Sequence, residues 1–161
     1  MRKPKISTSF LYKGQNINVL WYEVNDLSEI PNIPIQQVHG LIKIGQKFAL
    51  VYDNEGKFSL PGGKTETGES IEQTLRREIL EEMNCTITKW KPIGYQLLTT
   101  PDGKTDCQVR VVAEATKDNG PIKDPAMSVI GYKLMDLDSV EKHINHGVVG
   151  KRFIEIVRNL I

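Results

Sequence analysis

Three glutamates near the end of one predicted helix, Glu78, Glu81 and Glu82, carry the strongest chemical signal in the sequence. At about 100° per residue, Glu78 and Glu82 fall near Ile71 and Leu75, on the stripe that should face the rest of the protein. Carboxylates in such a place are costly unless they are paired or bound to a cation. A set of oxygen ligands favours a hard ion, Mg²⁺ or Mn²⁺. The alternative is a solvated acidic face at a helix end, although acids there oppose the helix dipole.

The segment before this helix has the composition of a ligand-binding loop. Gly62 and Gly63 follow a predicted short strand, and glycine lets the backbone approach a ligand closely. Lys64 comes next and could meet a phosphate, while Glu69 lies just ahead of the helix. Together with the acids, this loop favours a site for a metal ion and a phosphorylated ligand.

The spacing of these residues resembles the Nudix box. Gly63, five residues, Glu69, seven residues and then the segment from Arg77 to Glu82 reproduce every charged position of that motif. The resemblance runs from Gly63 to Cys85 and departs from the usual pattern at its end. Asn84 stands where the family has glycine, and Cys85 stands at an aliphatic position. Asparagine also accepts a positive φ and cysteine packs like a small apolar residue, so neither change removes a ligand.

The resemblance implies the Nudix fold, an α/β class with an α+β mixed sheet between helices (an α/β/α sandwich). It also implies a metal site in which Glu78, Glu82 and then Glu81 bind Mg²⁺, with Mn²⁺ as an alternative, and the Gly62 carbonyl completes the set. Glu81, Glu78 and Arg77 are the implied catalytic residues, with Glu81 as ligand or as the base that activates water and Arg77 orienting a carboxylate. Metal-assisted hydrolysis is the chemistry that this arrangement predicts.

Several residues outside the box remain open as site candidates. A further acid from a later loop often acts in this family, and Glu114 and Asp124 are the candidates, each with a surface role as the alternative. Arg110 alternates with apolar neighbours and could reach a phosphate, or could lie on an exposed strand face. His39 could line the pocket or be a satisfied strand residue.

For one pair of histidines and for four aromatic residues, a structural role is the alternative to a role in binding. His143 and His146 have a helical spacing, but a metal site would need a third ligand. Four aromatic residues could form a base-stacking surface, with core packing as the default: Trp21, Tyr22, Trp90 and Tyr95. Glu69 is expected to form an ion pair with another residue or to contact the metal ligands without binding the metal itself.

The elements that must position these residues follow from the hydrophobic pattern. A helix is predicted over residues 70–83, with Ser70 at its start, Gln73 as its capping-box partner and Asn84 at its end. Strands are predicted at 7–12, 16–24, 35–44, 47–52, 58–60, 85–99, 106–115 and 129–135. Two closing helices are predicted at 136–144 and 148–161.

Length, composition and net charge indicate which classes of protein this chain could belong to. A chain of 161 residues with 39% hydrophobic and 25% charged residues suits one soluble domain, 1–161. We expect 1–34 to form an N-terminal β-hairpin extension and 35–161 the Nudix core. A net charge of +1 argues against polymeric nucleic acid as a partner, and no apolar stretch is long enough to be a signal peptide or to span a membrane. Two lone cysteines, Cys85 and Cys107, suit a cytoplasmic location.

The predicted function is Mg²⁺-dependent hydrolysis of a phosphoanhydride bond in a nucleoside diphosphate linked to another moiety. A nucleoside triphosphate, ADP-ribose and a nucleotide sugar all remain open as the small-molecule substrate, and Pro101, sixteen residues past the box, is a weak hint of ADP-ribose. The rival from another class is a Nudix-fold domain that binds a nucleotide without cleaving it. An isomerase is disfavoured because Cys85 lies at an aliphatic position of the box. A homodimer through the hairpin is a further hypothesis, which a monomeric mass in solution would exclude.

Overall fold

Residues 2–161, described by a computed structural model, are built around one nine-stranded mixed sheet. Its strands are β1 (Ile6–Tyr12), β2 (Gln15–Glu23), β3 (Gln37–Ile44), β4 (Lys47–Tyr52), β5 (Phe58–Ser59), β6 (Gly62–Lys64), β7 (Cys85–Thr99), β8 (Thr105–Lys117) and β9 (Gly131–Met135). The helices are α1 (Ile71–Met83), α2 (Leu137–His143) and α3 (Gly147–Leu160). The predicted mixed α+β fold is confirmed.

The strands pair in the order β1-β2-β7-β8-β3-β4-β5, with β6 also paired to β3 and β9 to β4. Among the strands of residues 2–161, β3 and β8 run parallel, and every other pair is antiparallel. The predicted N-terminal hairpin, β1 and β2, is therefore an extension of the same sheet through the pairing of β2 with β7. In one row of residues, Arg110 of β8 lies opposite His39 of β3, and His39 lies opposite Gly62 of β6.

The two faces of the sheet carry separate apolar cores because side chains alternate along each strand. On one face Leu75 and Ile79 of α1 pack in a cluster with Val109 and Val111 of β8. On the other face Phe153 of α3 belongs to a second cluster with residues of α2, β2 and β4. Arg110 and Val112 alternate with Val109 and Val111 along β8, so their side chains lie on this second face.

Helix α1 begins and ends as its sequence predicts. The Ser70 hydroxyl accepts from the Gln73 N–H at 3.1 Å, and the Gln73 side chain accepts from the Ser70 N–H at 2.8 Å, which completes the capping box. Asn84 ends the helix in the left-handed conformation at φ 50°. The helix that carries the acids is thus fixed at both ends by local interactions.

Two expectations about elements need correction. Residues 62–64 were expected to be loop but form β6, because Gly62 and Gly63 pair with β3 in antiparallel register. Strand β8 continues to Lys117, two residues beyond its predicted end, because it stays paired with the start of β7. Cys85 and Cys107 are both buried as free thiols. Within residues 2–161, no helix has the length and apolar content needed to cross a membrane.

Candidate active site

The deepest acid of α1, Glu82, is held against strand β6. Its side chain is buried, with the residue 6% exposed, and it accepts from the Gly62 N–H at 2.7 Å. Gly62 has φ 137°, and a Cβ added there would collide with the Val38 carbonyl and the His39 backbone. Only glycine therefore allows β6 to present this N–H to the carboxylate.

The next glycine makes room for the next acid. A Cβ on Gly63 would overlap the Glu78 carboxylate, so the side chain of Glu78 lies directly against the β6 backbone. The Glu78 side chain is 14% exposed, while that of Glu81, one turn along the helix, is 26% exposed. The two glycines thus bring β6 within contact distance of the acidic face of α1.

Arg77 connects the loop before α1 with its acids. Its guanidinium forms a two-point ion pair with Glu69, at 2.8 and 2.9 Å, and donates to the Lys64 carbonyl at 2.8 Å. It also contacts Glu78 at 2.9 Å and Glu81 at 3.3 Å. The bidentate pair with Glu69 fixes the orientation of the Arg77 guanidinium. Arg77 therefore positions the Glu78 and Glu81 carboxylates relative to the loop.

Electrostatics distinguish the acids from one another. Burial, with the Gly62 hydrogen bond opposing it and the charges of Glu78, Asp124 and Glu81 adding to it, raises the pKa of Glu82 to about 8. Burial likewise raises the pKa of Glu78. The ion pair with Arg77 instead lowers the pKa of Glu69 to about 2. Glu69 is therefore ion-paired with Arg77, while burial disfavours the ionised forms of Glu82 and Glu78.

Asp124 lies in the loop between β8 and β9 and acts on the same acids through its charge. Its charge contributes to the raised pKa of both Glu78 and Glu82. The carboxylate also accepts hydrogen bonds within its loop, including those from the Ser128 and Val129 N–H groups at 3.0 Å. Glu114, the other candidate, is exposed on β8 opposite Lys89 of β7. Of the two candidates, Asp124 is the one whose charge acts on the box acids.

The donor set suits a hard divalent cation. Glu78, Glu82 and Glu81 would supply carboxylate oxygens beside the β6 backbone, which is the ligand chemistry of Mg²⁺ or Mn²⁺. As the side chains stand, no group of three acidic, histidine or cysteine residues within 2–161 forms a complete ligand cluster. Arg77 contacts Glu78 and Glu81, while Glu82 accepts from the Gly62 N–H.

A family model described as NUDIX domain matches residues 18–155 of the chain. The chain belongs to the NUDIX domain family. The expected family resemblance and membership of the Nudix hydrolases are confirmed by this match, which includes the whole box and most of β2.

Solved structures support the Nudix fold. A NUDIX hydrolase from Nitrosomonas europaea is similar with a TM-score of 0.63 and 22% identity, over 79% of this chain and 90% of that one. The Bacillus subtilis pyrophosphohydrolase BsRppH gives a TM-score of 0.61 and 19% identity, over 80% of this chain and 77% of that one. The NUDIX domain of Shewanella oneidensis NrtR, complexed with ADP ribose, gives 0.60 and 19%, over 83% and 94%.

One curated relative shares a short, closely similar segment with this Nudix protein. It is an oxidized purine nucleoside triphosphate hydrolase from Danio rerio, 51% identical over 39 residues. That segment covers 24% of this chain, and the match spans about a quarter (25%) of the relative's length. The activity of the relative therefore enters only as support for a proposal.

The remaining predicted residues of this Nudix protein lie in different places. Lys64 is exposed and lines a groove together with Glu69 and Lys104. Arg110 is buried on the opposite side of the sheet from α1, which the sequence did not predict. His39 lies beside Arg110 in the sheet, and burial, followed by the Arg110 charge, lowers its pKa to about 3.

The histidine pair and the aromatic residues have structural contacts. The His143 ring packs edge-on to Phe58 at 4.9 Å between centroids, while His146 precedes the first turn of α3. Trp21 is fully buried in the core, and Tyr22 stacks on Tyr95 at 4.8 Å. Trp90 packs partly buried against the first core cluster. The default expectation of core packing therefore describes these four aromatic residues.

Proposed function

We propose that this protein is a divalent-cation-dependent hydrolase that cleaves a phosphoanhydride bond in a nucleoside diphosphate linked to another moiety. The observation that carries the proposal is the buried Glu82 carboxylate, which lies near Glu78, Glu81 and Asp124 and accepts only one backbone N–H from β6. A cluster of desolvated acids is unfavourable unless a cation joins it. Such a perturbed cluster is typical of a functional site.

The chain's own residues have distinct roles in this mechanism. Glu78 and Glu82 would hold the cation, together with the Gly62 carbonyl, and Glu81 would be a further ligand or the proton acceptor. The cation would neutralise phosphate charge, orient the anhydride and make a bound water more acidic. Arg77 positions Glu78 and Glu81 and keeps the loop ahead of α1 in place through Glu69.

Glu81 is the residue that we propose as the proton acceptor. It is the most exposed of the three box acids, so it can contact water while Glu78 and Glu82 face β6. The Arg77 contact at 3.3 Å holds this carboxylate in place beside the other box acids. Asp124 is the alternative acceptor, since its charge reaches both Glu78 and Glu82.

The phosphates of the substrate would lie in the groove beside the box. Lys64 and Lys104 line this groove, and Glu69 forms part of its wall next to Arg77. Two lysines offer mobile positive charges for a polyphosphate chain. The relatives named above support a nucleoside triphosphate or ADP-ribose as substrate, and a nucleotide sugar remains a third candidate.

The test is release of phosphate and monophosphate products from a nucleotide panel with Mg²⁺, without Mg²⁺, and with Mn²⁺. The panel contains ADP-ribose, nucleotide sugars, and ordinary and oxidised nucleoside triphosphates. We expect metal-dependent cleavage of one class and a loss of about 100-fold or more in kcat for Glu82→Gln, which removes a charged ligand.

A matched control lies on the same helix. Glu72→Gln removes an exposed acid whose partner is Arg76 at 2.8 Å, and this variant should keep full activity. Cleavage that survives in Glu82→Gln would contradict the proposed role of that residue. A folded, Mg²⁺-binding protein that is silent on the whole panel would favour the nucleotide-binding alternative.

A further inference from the structure

Arg110 carries a buried positive charge whose partners among residues 2–161 are neutral. The residue is 8% exposed and donates to the Gln108 Oε1 at 3.1 Å and to the Val109 carbonyl at 3.4 Å. Burial lowers its pKa to about 10, and no carboxylate among residues 2–161 contributes in the opposite direction. Buried charges in proteins are ordinarily paired, because an uncompensated one costs several kcal/mol. Arg110 therefore has unused capacity to bind an acceptor from outside the chain.

Arg110 lines a cavity of about 860 Å³ on the sheet face opposite α1. Gln96 and Gln108 line it from β7 and β8, and their amides are linked to each other at 3.0 Å. Phe10 and Phe153 form part of its apolar wall. This volume is in the range of small-molecule sites, which combine apolar walls with a few convergent polar groups.

The start of α3 lines the same cavity from the other side. His146, Gly147, Val148 and Gly150 all border it, and the His146 side chain makes no capping hydrogen bond to the helix. The first N–H groups of a 14-residue helix carry a partial positive charge and bind anions. A buried arginine and an uncapped helix start are independent features, and both favour a negatively charged ligand.

We propose that the cavity between Arg110 and the start of α3 binds a phosphate-type oxyanion. This anion has two sources: a second phosphate group on the substrate, away from the cleaved anhydride, or free phosphate. The first source rests on the proposed hydrolase function, whereas binding of free phosphate is independent of it.

The cavity is placed to take part of the same ligand as the box. Gln37 and Asp106 line both this cavity and the groove that contains Lys64 and Glu69, so the two spaces meet at those residues. Among the described residues that line the cavity, Asp106 is the one carboxylate, and it also lines the groove. A ligand with phosphates in the groove can therefore extend a further anionic group toward Arg110.

The first experiment measures phosphate-dependent stability without metal. Thermal unfolding is followed in EDTA at pH 7.5 with 0–50 mM inorganic phosphate, at constant ionic strength set by sodium chloride. EDTA removes any cation held by the box, so binding there cannot mimic the effect. We expect the wild-type midpoint to rise by ~3 °C and the rise to vanish in Arg110→Gln. In phosphate-free buffer the variant should be at least as stable as wild type, because it removes an uncompensated charge.

The matched control is Arg76→Gln, an arginine on α1 that is exposed and paired with Glu72. This variant should keep the full phosphate-dependent rise. An equal rise in wild type and Arg110→Gln, or no rise in wild type, would overturn the proposal. If Arg110→Gln fails to fold, amide chemical shifts in the wild-type protein decide: phosphate should move the resonances of Gly147, Val148 and Val149, and unchanged resonances reject the site.

A second experiment identifies the source of the anion. KM is compared for ADP-ribose and its ribose 2′-phosphorylated form, with wild type and Arg110→Gln. A KM that rises about tenfold in the variant for the phosphorylated substrate alone assigns the site to a substrate phosphate. Equal KM values combined with phosphate binding in EDTA assign it to free phosphate. An inactive protein that still shows the phosphate-dependent rise would leave this site standing while the hydrolase proposal fails.

Discussion

At the scale of single residues, the site depends on two glycines as much as on its acids. Gly62 lets a strand N–H reach Glu82, and Gly63 leaves space for the Glu78 carboxylate. The requirement at Gly63 is steric, since its φ lies outside the left-handed region, whereas Gly62 also needs its positive φ of 137°. The acidic site can therefore form because Gly62 and Gly63 have no side chains.

Gly63→Ala should separate activity from stability. The added methyl group would displace the Glu78 carboxylate, so we expect a loss of at least about tenfold in metal-dependent activity with the fold retained. Activity, Mg²⁺ affinity and thermal unfolding are measured together. Gly45→Ala is the control: its Cβ would meet open space, but its φ of 63° makes alanine strained, so about 1 kcal/mol of stability should be lost without a change in activity. Full activity in Gly63→Ala would contradict the steric argument.

At the scale of elements, local signals specified helix α1 and its ends. Ser70, Gln73 and Asn84 predicted both boundaries because capping depends on residues close in sequence. The approach of β6 to α1 could not be predicted in this way, since it depends on pairing with β3, more than twenty residues earlier in the chain. The same holds for Asp124, whose proximity to Glu78 and Glu82 arises from the loop after β8.

Asn84 connects α1 to that loop, which explains a difference from the usual box glycine. Its side-chain amide donates to the Asn119 carbonyl at 3.0 Å and the Gly120 carbonyl at 3.1 Å. In Asn84→Gly the left-handed end of α1 is preserved, so global stability should change by less than ~1 kcal/mol. Amide hydrogen exchange in residues 118–130 should become faster because the two side-chain bonds are lost. Unchanged exchange in that segment would show that the side chain does not order the loop.

At the scale of the whole molecule, the sheet separates two kinds of chemistry. The acids of α1 occupy one side, while Arg110 and the start of α3 occupy the other. The sequence predicted the acidic side because its residues form one short motif. For Arg110 the sequence allowed two alternatives, an exposed strand position or a phosphate contact. It could not predict that Arg110 is buried without a carboxylate partner, because that depends on how the whole molecule packs.

The N-terminal hairpin and the last helix are joined by a long-range ion pair, and its strength should depend on pH. Arg152 of α3 donates to Glu23 at the end of β2 at 2.6 and 3.1 Å, and this interaction lowers the pKa of Glu23. Because the folded pKa lies below the unfolded one, the stabilisation is complete above the unfolded pKa and disappears as pH falls through the folded pKa.

Glu23→Gln should therefore cost about 1 kcal/mol of unfolding free energy at pH 7, a modest value because both side chains are partly exposed. The difference from wild type should shrink steadily below about pH 4.5, the ordinary pKa of a glutamate. Urea unfolding at several pH values provides the measurement. Glu155→Gln removes the exposed partner of the same arginine and should have little effect at any pH, because that carboxylate is 60% exposed. A pH-independent difference between Glu23→Gln and wild type would show that the hairpin is held by packing rather than by this charge pair.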